Sequence, residues 1–393
     1  MTQQDMTQQD VTQQDTTGPD AVRPGAGARS RVARQRSTAK SPTGKGPAGN
    51  KDRPRDEDLT VAMRLRDGVV KYGFVAVTVA LFIYFAASEP SFSTGQSIFA
   101  MLKFASTTAI LGLAMTFSMV VGGMDMSIGS QAGLAVQMGA MTMVFYNMTG
   151  STAVIVVLLT GLLVGLLNAF LIVVCKIPDL LATLAMMFVI QGAKLIPVSG
   201  QSVSGGMVLQ DGSVAPGKFT PGFLQIDRGM IGPIPIPVII MLVLAIASWF
   251  FLSRTKWGRV MYAVGANPEA ARLAGVRVGF YRGLAYVICA ELAAVGGLIL
   301  VSRIGQGDVN AGSSSLLEAV AVALVGTSVL GIGKPNAWGT ILGALLVQIV
   351  LTGLTMKGFQ YYHQDTAKGL VLLVALLFSY TVSRKRVRYT PAT

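Results

Sequence analysis

The residues able to do chemistry are few in this chain, and they stand apart from one another. It has one histidine, His363, and two cysteines, Cys175 and Cys289, each cysteine set in an apolar stretch. That supply argues against a histidine-based metal site and offers no disulfide framework. No nucleophile–base set or ligand cluster is grouped by spacing, which disfavours an enzyme. Gly333-Lys334 comes nearest to a phosphate-cradling loop. Ser328, however, stands where the first glycine belongs, and Pro335 stands where a magnesium-binding Ser or Thr belongs.

What remains is a set of isolated polar residues inside apolar runs: Asp125, Glu291, Glu318, Asn168 and Thr183. In a bilayer each is costly and therefore a functional candidate. Asp125 lies between two apolar runs beside Gly122, Gly123 and Gly129, which permit sharp turns, and Ser127 sits near the next helix start. Its carboxylate either caps that helix or lines a path. Glu318 opens another run, where a carboxylate suits a helix N-terminus. Glu291 is mid-run among Ala290, Ala293 and Ala294 and must face protein or water. Asn168 and Thr183 are placed to hydrogen-bond between helices, and Gly161, Gly165, Gly296, Gly297, Gly339 and Gly343 to let helices approach closely. Gly123, Asp125, Ser127, Asn168, Thr183, Glu291 and Glu318 are thus the candidates for a translocation path or gate.

The elements that must hold them are membrane spans. Charged residues make up 13% of the 393-residue chain, against about 25% in soluble domains, and mean hydropathy is +0.57. Apolar runs of membrane length recur after Val69, at roughly 69–88, 102–121, 128–146, 152–174, 180–198, 234–252, 283–301, 316–331, 338–355 and 367–382. The expected fold is all-α and polytopic, with about ten helices, some short or broken. The net charge of +13 is then positive charge held on one side of the bilayer. Arg254, Lys256, Arg259, Arg272, Arg277, Arg282 and the tail Arg384, Lys385, Arg386, Arg388 fall on one side, the cytoplasm, with both termini. Residues 1–67, polar and carrying a repeated TQQD pentad, read as a disordered basic cytoplasmic tail, and 68–393 as the membrane domain. Within the domain, 199–233 is an outer glycine-rich loop and 253–282 an inner loop. Two stretches, Ala114–Ala140 and Val320–Leu345, echo each other as an apolar span, a glycine break with a charge, and a second span. Paired broken segments of this kind point towards a transport path.

The inner loop specifies a helix. Asn267 is an N-cap, Pro268 suits the first helical position, and Glu269 complements the dipole. Ala270, Ala271, Arg272, Leu273 and Ala274 favour helix, and Gly275 ends it. A helix of about two turns is unstable alone, so its small apolar surface is expected to dock on a partner.

These residues carry a resemblance. GRVMYAVGANPEAARLAGV, Gly258–Val276, resembles the cytoplasmic coupling loop of bacterial sugar-type ABC importer permeases, the branch serving ribose, xylose, arabinose and galactose. GGMDMSIGS (Gly122–Ser130), GLLNAFLIVVCKIPDLLATLAMMFVIQG (Gly165–Gly192) and LLEAVAVALVGTSVLGIGKPNAWGTILGALL (Leu316–Leu346) resemble three further family motifs, in order. The chain departs from those patterns at Ala185, at Gln191 and over Val329–Pro335.

The resemblance implies a permease subunit in the inner membrane that moves a monosaccharide or related small polyol. It implies pairing with a second identical or related permease, two cytoplasmic ATPase domains and an outer sugar-binding protein. ATP and magnesium would sit on the ATPases, and this chain would bind no cofactor and hydrolyse nothing. Asn267, Glu269, Ala270, Ala271, Arg272, Ala274 and Gly275 would couple to the ATPase. The competing reading is an ion-coupled secondary transporter, which would need no docking helix in a cytoplasmic loop.

Overall fold

A computed structural model describes residues 73–209, 211–328, 334–360, 362–364, 366–370 and 373. The expected disordered tail, most of the tenth span, the basic C-terminal tail and the glycine break at 329–333 lie outside the described residues.

The chain is an all-α polytopic membrane protein. Its helices are α1 (Gly73–Ser88), α2 (Gly95–Val120), α3 (Ile128–Val144), α4 (Gly150–Ala169), α5 (Asp179–Ala193) and α6 (Pro221–Arg228). They continue as α7 (Ile236–Arg254), α8 (Lys256–Ala266), α9 (Pro268–Leu273), α10 (Val278–Ile304), α11 (Ser315–Ser328) and α12 (Ala337–Met356). A π-helical turn, Phe170–Val174, prolongs α4. Six of these segments are long and apolar enough to cross a bilayer, and α1 and α11 are shorter apolar helices. Each of the first nine expected spans coincides with one helix. The boundaries differ mainly at α2 and α10, which begin several residues earlier than hydropathy alone places them because Thr94 and Arg277, not the first apolar residue, stand at their N-caps.

α2 and α10 form the centre. Two-thirds of each apolar window is buried within the protein, against one-third for α4, α5 and α7. α10 packs on α2, α3 and α4, while α2, α11 and α12 pack on one another as a second group. The outer helices turn apolar stripes outwards: Ile155, Leu159, Leu163 and Leu166 on α4 are each more than half exposed. That face would be unstable in water and is what a bilayer covers. Close approach is achieved through small residues. A Cβ added to Gly165 would meet the Val287 backbone at 2.9 Å, and one added to Gly112 would meet Thr340 and Val322 at 2.8 Å.

Candidate functional site

The site assembles where the α2–α3 turn meets the starts of α5 and α10. Gly122, at φ +81°, turns the chain after α2 in a conformation that a β-carbon disfavours. Asp125 follows, fully buried. Its Oδ1 accepts the Ser127 N–H at 2.8 Å and the Ser127 hydroxyl at 2.5 Å. Its Oδ2 faces the Gln131 amide at 3.3 Å, the Asn168 amide at 3.5 Å and the Cys289 thiol at 3.4 Å. The Gln131 and Asn168 amides also donate to Ser127 Oγ, at 2.6 and 3.1 Å. Thr183 closes the other flank, accepting the Met126 N–H at 3.1 Å and donating to the Met124 carbonyl at 3.2 Å. Thus four helices are tied to one turn by charge-assisted and neutral hydrogen bonds in a water-poor place, where such bonds are strong.

One expectation is corrected in detail. Asp125 does not cap α3: its carboxylate bonds the N–H two residues on, an Asx-type brace, and the N-cap residue Ser127 makes no capping bond. The reason is geometric, since the glycine turn brings the Asp125 side chain back over its own loop before α3 begins.

Beside this network lies an ion pair. Asp179, the first residue of α5, pairs with Arg282 and accepts the Tyr286 hydroxyl at 2.7 Å. Arg282 and Tyr286 are four residues apart on α10 and so share a face. Gly123 packs directly under this group, and a β-carbon there would overlap both Asp179 Oδ2 and the Tyr286 oxygen.

The inner loop is built against the same turn. It holds two helices rather than the single one expected. α8 is capped by Thr255, whose Oγ1 accepts the Gly258 N–H at 3.2 Å, and α9 by Asn267, whose Oδ1 accepts the Ala270 N–H at 3.0 Å. α8 touches two distant parts of the chain at once. Gly265 lies on Gly122, where a β-carbon on Gly122 would stand 3.3 Å from the Gly265 carbonyl oxygen. Tyr262 donates its hydroxyl to the Pro335 carbonyl at 2.6 Å, ahead of α12. Burial pushes the Tyr262 phenol up to about 12, so the donor keeps its proton at neutral pH. Gly122 belongs to the break of the first echoing segment, and Pro335 is a described residue of the break of the second.

α9 is exposed apart from one residue. Glu269 and Arg272 pair on its surface at 2.9 Å, and Leu273 is 89% exposed. Ala270, Ala274 and Gly275 are exposed as well, with Gly275 at φ +81°. Ala271 corrects the expectation that the alanines have no local role. It is buried against Val264 and Val278 and anchors α9 to α8 and α10. One buried position per turn is what a helix lying on its own chain requires, and the sequence could not tell which alanine would take it.

The remaining candidates lie elsewhere. Glu291 is half-buried on α10 facing α4, with the Gly161 position beside its carboxylate. Glu318 is at the opposite end of the protein. It accepts the Thr108 hydroxyl at 3.0 Å and pairs with Lys368 at 2.7 Å. At that end a second buried ion group also occurs. Asp227 of α6, 1% exposed, pairs with Lys103 at 2.7 Å and Arg303 at 3.0 Å. Through Asp227, α6 fastens the 199–232 segment to the ends of α2 and α10.

Sequence reading missed Gln131, Cys289, Asp179, Arg282, Tyr286, Tyr262 and Gly265, and the Lys103–Asp227–Arg303 group. The Arg282–Tyr286 spacing was a usable signal, and so was the scarcity of acids outside the tail. Among the described residues no three His, Cys, Asp or Glu side chains converge as metal ligands. What the arrangement can do is mechanical, because it links an exposed helix to the Gly122 turn and to Pro335 ahead of α12.

Comparison with known proteins agrees with that character. Residues 97–379 match the family model described as branched-chain amino acid transport system / permease component. The ribose import permease protein RbsC of Haemophilus influenzae is 30% identical over 315 residues, covering 80% of this chain and 94% of that protein. RbsC of Bacillus subtilis is 30% identical over 312 residues, covering 79% and 93%. The xylose transport system permease protein XylH of Haemophilus influenzae is 26% identical over 350 residues, covering 77% and 93%. No solved structure matches the chain significantly. A family match over most of the membrane domain, joined to near full-length similarity to import permeases, places this chain in the family of transport-system permease components.

Proposed function

We propose that the chain is the membrane-spanning subunit of an ATP-driven importer for a monosaccharide or related small polyol. The similarity to ribose and xylose permeases supports a sugar cargo, and supports a permease over an ion-coupled carrier. The α8–α9 end faces the cytoplasm of the inner membrane, both termini are cytoplasmic, and the spans number ten. Charge distribution supports this orientation. Arg254, Arg259, Arg272 and Arg277 are exposed at the α8–α9 end, whereas Lys103 and Arg303 at the other end are paired with Asp227.

The partners are a second permease copy or a paralogue, two cytoplasmic ATPase domains carrying ATP and magnesium, and an outer sugar-binding protein. α9, with Asn267, Glu269, Ala270, Arg272, Ala274 and Gly275, meets the ATPase, and Ala271 holds α9 in place. Movement of α9 reaches the Gly122 turn through Gly265, and the start of α12 through Tyr262 and Pro335. The Asp125 network makes the first turn rigid, so displacement there moves α3, α4, α5 and α10 together rather than being absorbed locally.

The single observation that carries this reading is a capped, two-ended device: exposed Leu273 on α9, and α8 set against both Gly122 and Pro335. Affinity purification of the Leu273→Asp and Ala270→Trp chains tests it. Both should insert normally, lose the co-purifying ATPase and lose uptake. Full ATPase recovery with normal uptake in both variants would remove α9 from the mechanism.

A further inference from the structure

α7 and α8 meet where the chain leaves the bilayer. α7 has 19 residues, about 28 Å at the rise of an α-helix, which is close to the roughly 30 Å of a hydrocarbon core. Its outward stripe is Val243, Ile246 and Phe250, each half or more exposed and spaced so that they share one face. Four residues further on, that face ends in exposed Arg254, the last residue of α7. The stripe that lipid tails cover therefore gives way to a guanidinium at the level of the lipid headgroups.

Two more cations join it. Only Thr255 separates α7 from α8, and exposed Lys256 and Arg259 follow at the start of α8. The corner is tight, because a β-carbon on Gly258 would overlap the carbonyl oxygens of Phe251 and Leu252. Arg259 donates to the Arg254 carbonyl at 3.4 Å, which gathers both guanidinium side chains at the end of α7. Among the described residues none of the three has a carboxylate partner, since the ion pairs engage Lys103, Arg272, Arg282, Arg303 and Lys368 instead. From Gly229 to Pro268 the sequence contains no Asp or Glu that could serve. Three like charges held together without an acid repel one another, and an anion beside them relieves that repulsion.

Aromatic rings frame the cations. The Arg254 guanidinium lies 5.5 Å from the centre of the Trp249 ring. Trp257 packs at 5.6 Å on Phe280 and at 6.0 Å on Tyr281, both in the first turn of α10. Trp257 and Phe280 nevertheless keep about half their surface exposed. Half-packed, half-open rings beside cations are the composition of a membrane–water interface. α9 lies apart from this surface. The 11 residues of α8, about 16 Å long, separate Lys256 from Asn267, and buried Ala271 anchors α9 at the far end. One end of α8 thus sits at the bilayer edge, and the other carries the helix that meets the ATPase.

We propose that Arg254, Lys256 and Arg259, framed by Trp257 and Phe280, form a surface that binds anionic phospholipid headgroups, and that this contact pins the α7 end of α8 so that movement of α9 turns α8 about it. A guanidinium fork matches the oxygens of a phosphodiester. A zwitterionic headgroup brings its own ammonium beside that phosphate and cancels much of the attraction, whereas an anionic one does not. The inference rests on the permease reading above and adds a lipid requirement for coupling.

The test uses the assembled complex in proteoliposomes of equal phosphatidylglycerol and phosphatidylcholine, with the photocrosslinker p-benzoylphenylalanine replacing Phe280. After irradiation, mass spectrometry identifies what is attached. Phosphatidylglycerol adducts should exceed phosphatidylcholine adducts by about fivefold for each cation engaged. The excess should vanish in Arg254→Gln/Lys256→Gln/Arg259→Gln and persist in Arg254→Lys/Arg259→Lys, which keeps the charge. Equal adducts with the native cations in place overturn the anionic assignment. Adducts to the ATPase subunit instead of lipid overturn the lipid surface in favour of a protein contact. With Phe280 restored, sugar uptake per ATP should rise several-fold as phosphatidylglycerol replaces phosphatidylcholine, and the Gln variant should lose that dependence. An equal rise in both overturns the pinning. Crosslinking needs neither sugar nor ATP, so it decides the lipid surface even where absent uptake of ribose and xylose in every lipid mixture defeats the permease reading.

Discussion

Substituting alanine for Gly265 adds one methyl group at the point where α8 rests on the α2–α3 turn. The added carbon would lie 3.0 Å from the Val120 carbonyl carbon and 3.1 Å from the Gly122 nitrogen, and would overlap the Val120 carbonyl oxygen. Non-bonded contact is optimal at about 3.5–4.0 Å between carbons and the overlapped oxygen is nearer still, so α8 must retreat by roughly 1 Å or more. Both sides of the contact are backbone, and Gly122 holds a positive φ, so neither can fold a side chain out of the way. Overpacking of this kind costs about 1–3 kcal/mol. If the cost falls on the engaged state alone, it shifts the equilibrium between engaged and released α8 by roughly 5- to 150-fold. α9 remains capped and exposed, so the ATPase should still co-purify. The assay is parallel measurement of ATP hydrolysis and sugar uptake by the complex in proteoliposomes. Hydrolysis should persist while uptake per ATP falls by about fivefold or more. An unchanged ratio of uptake to hydrolysis in Gly265→Ala would show that α8 does not transmit movement through this contact.

Asp125→Asn should be tolerated, at about 1 kcal/mol or less. The Gln131 and Asn168 amide oxygens have no partner and could turn to accept the new N–H₂ group. Asp125→Leu should lose about 2 kcal/mol or more by stranding buried donors, seen as earlier thermal unfolding of the solubilised chain, and equal unfolding of both variants would refute the brace. Asp227→Asn should destabilise towards the lower end of the roughly 3–5 kcal/mol typical of a broken buried pair, because Lys103 and Arg303 retain some water contact. Protease sensitivity of the 199–232 segment should rise with it, and unchanged protection would count against α6 as a fastening. Reporter fusions at Thr393 and before Val69 should both read as cytoplasmic, and a periplasmic signal at either end would defeat the ten-span arrangement.

Much of the fold was legible because hydropathy and caps act locally. Asn267, read as an N-cap, caps α9 in the structure, and the first nine apolar runs became helices over their described residues. The candidate site was legible only in part. Gly123, Asp125, Ser127, Asn168 and Thr183 do converge, since each is a polar or glycine anomaly in an apolar run. Asp179, Arg282 and Tyr286 were passed over because they stand at span ends, where charge is unremarkable. Their pairing spans more than a hundred residues of sequence and is set by how α5 meets α10. Ala271 shows the same limit at short range. Four apolar residues in a six-residue helix do not say which one turns inward, and packing on Val264 and Val278 decides it. Gly265 and Tyr262 lie in a stretch that the sequence reading left as loop, and only contact with two distant parts of the chain sets them apart.

The central claim is that ATP hydrolysis by partners on the α8–α9 side drives a sugar through this chain. The direct measurement is uptake of radiolabelled ribose and xylose into proteoliposomes holding the purified complex and its binding protein, with the ATP supply confined to the α8–α9 face. Uptake should require that ATP, continue when ionophores collapse ion gradients, and be abolished when the ATPase subunits are left out. Sugar uptake by the chain alone, driven by a proton or sodium gradient and indifferent to ATP, would contradict it.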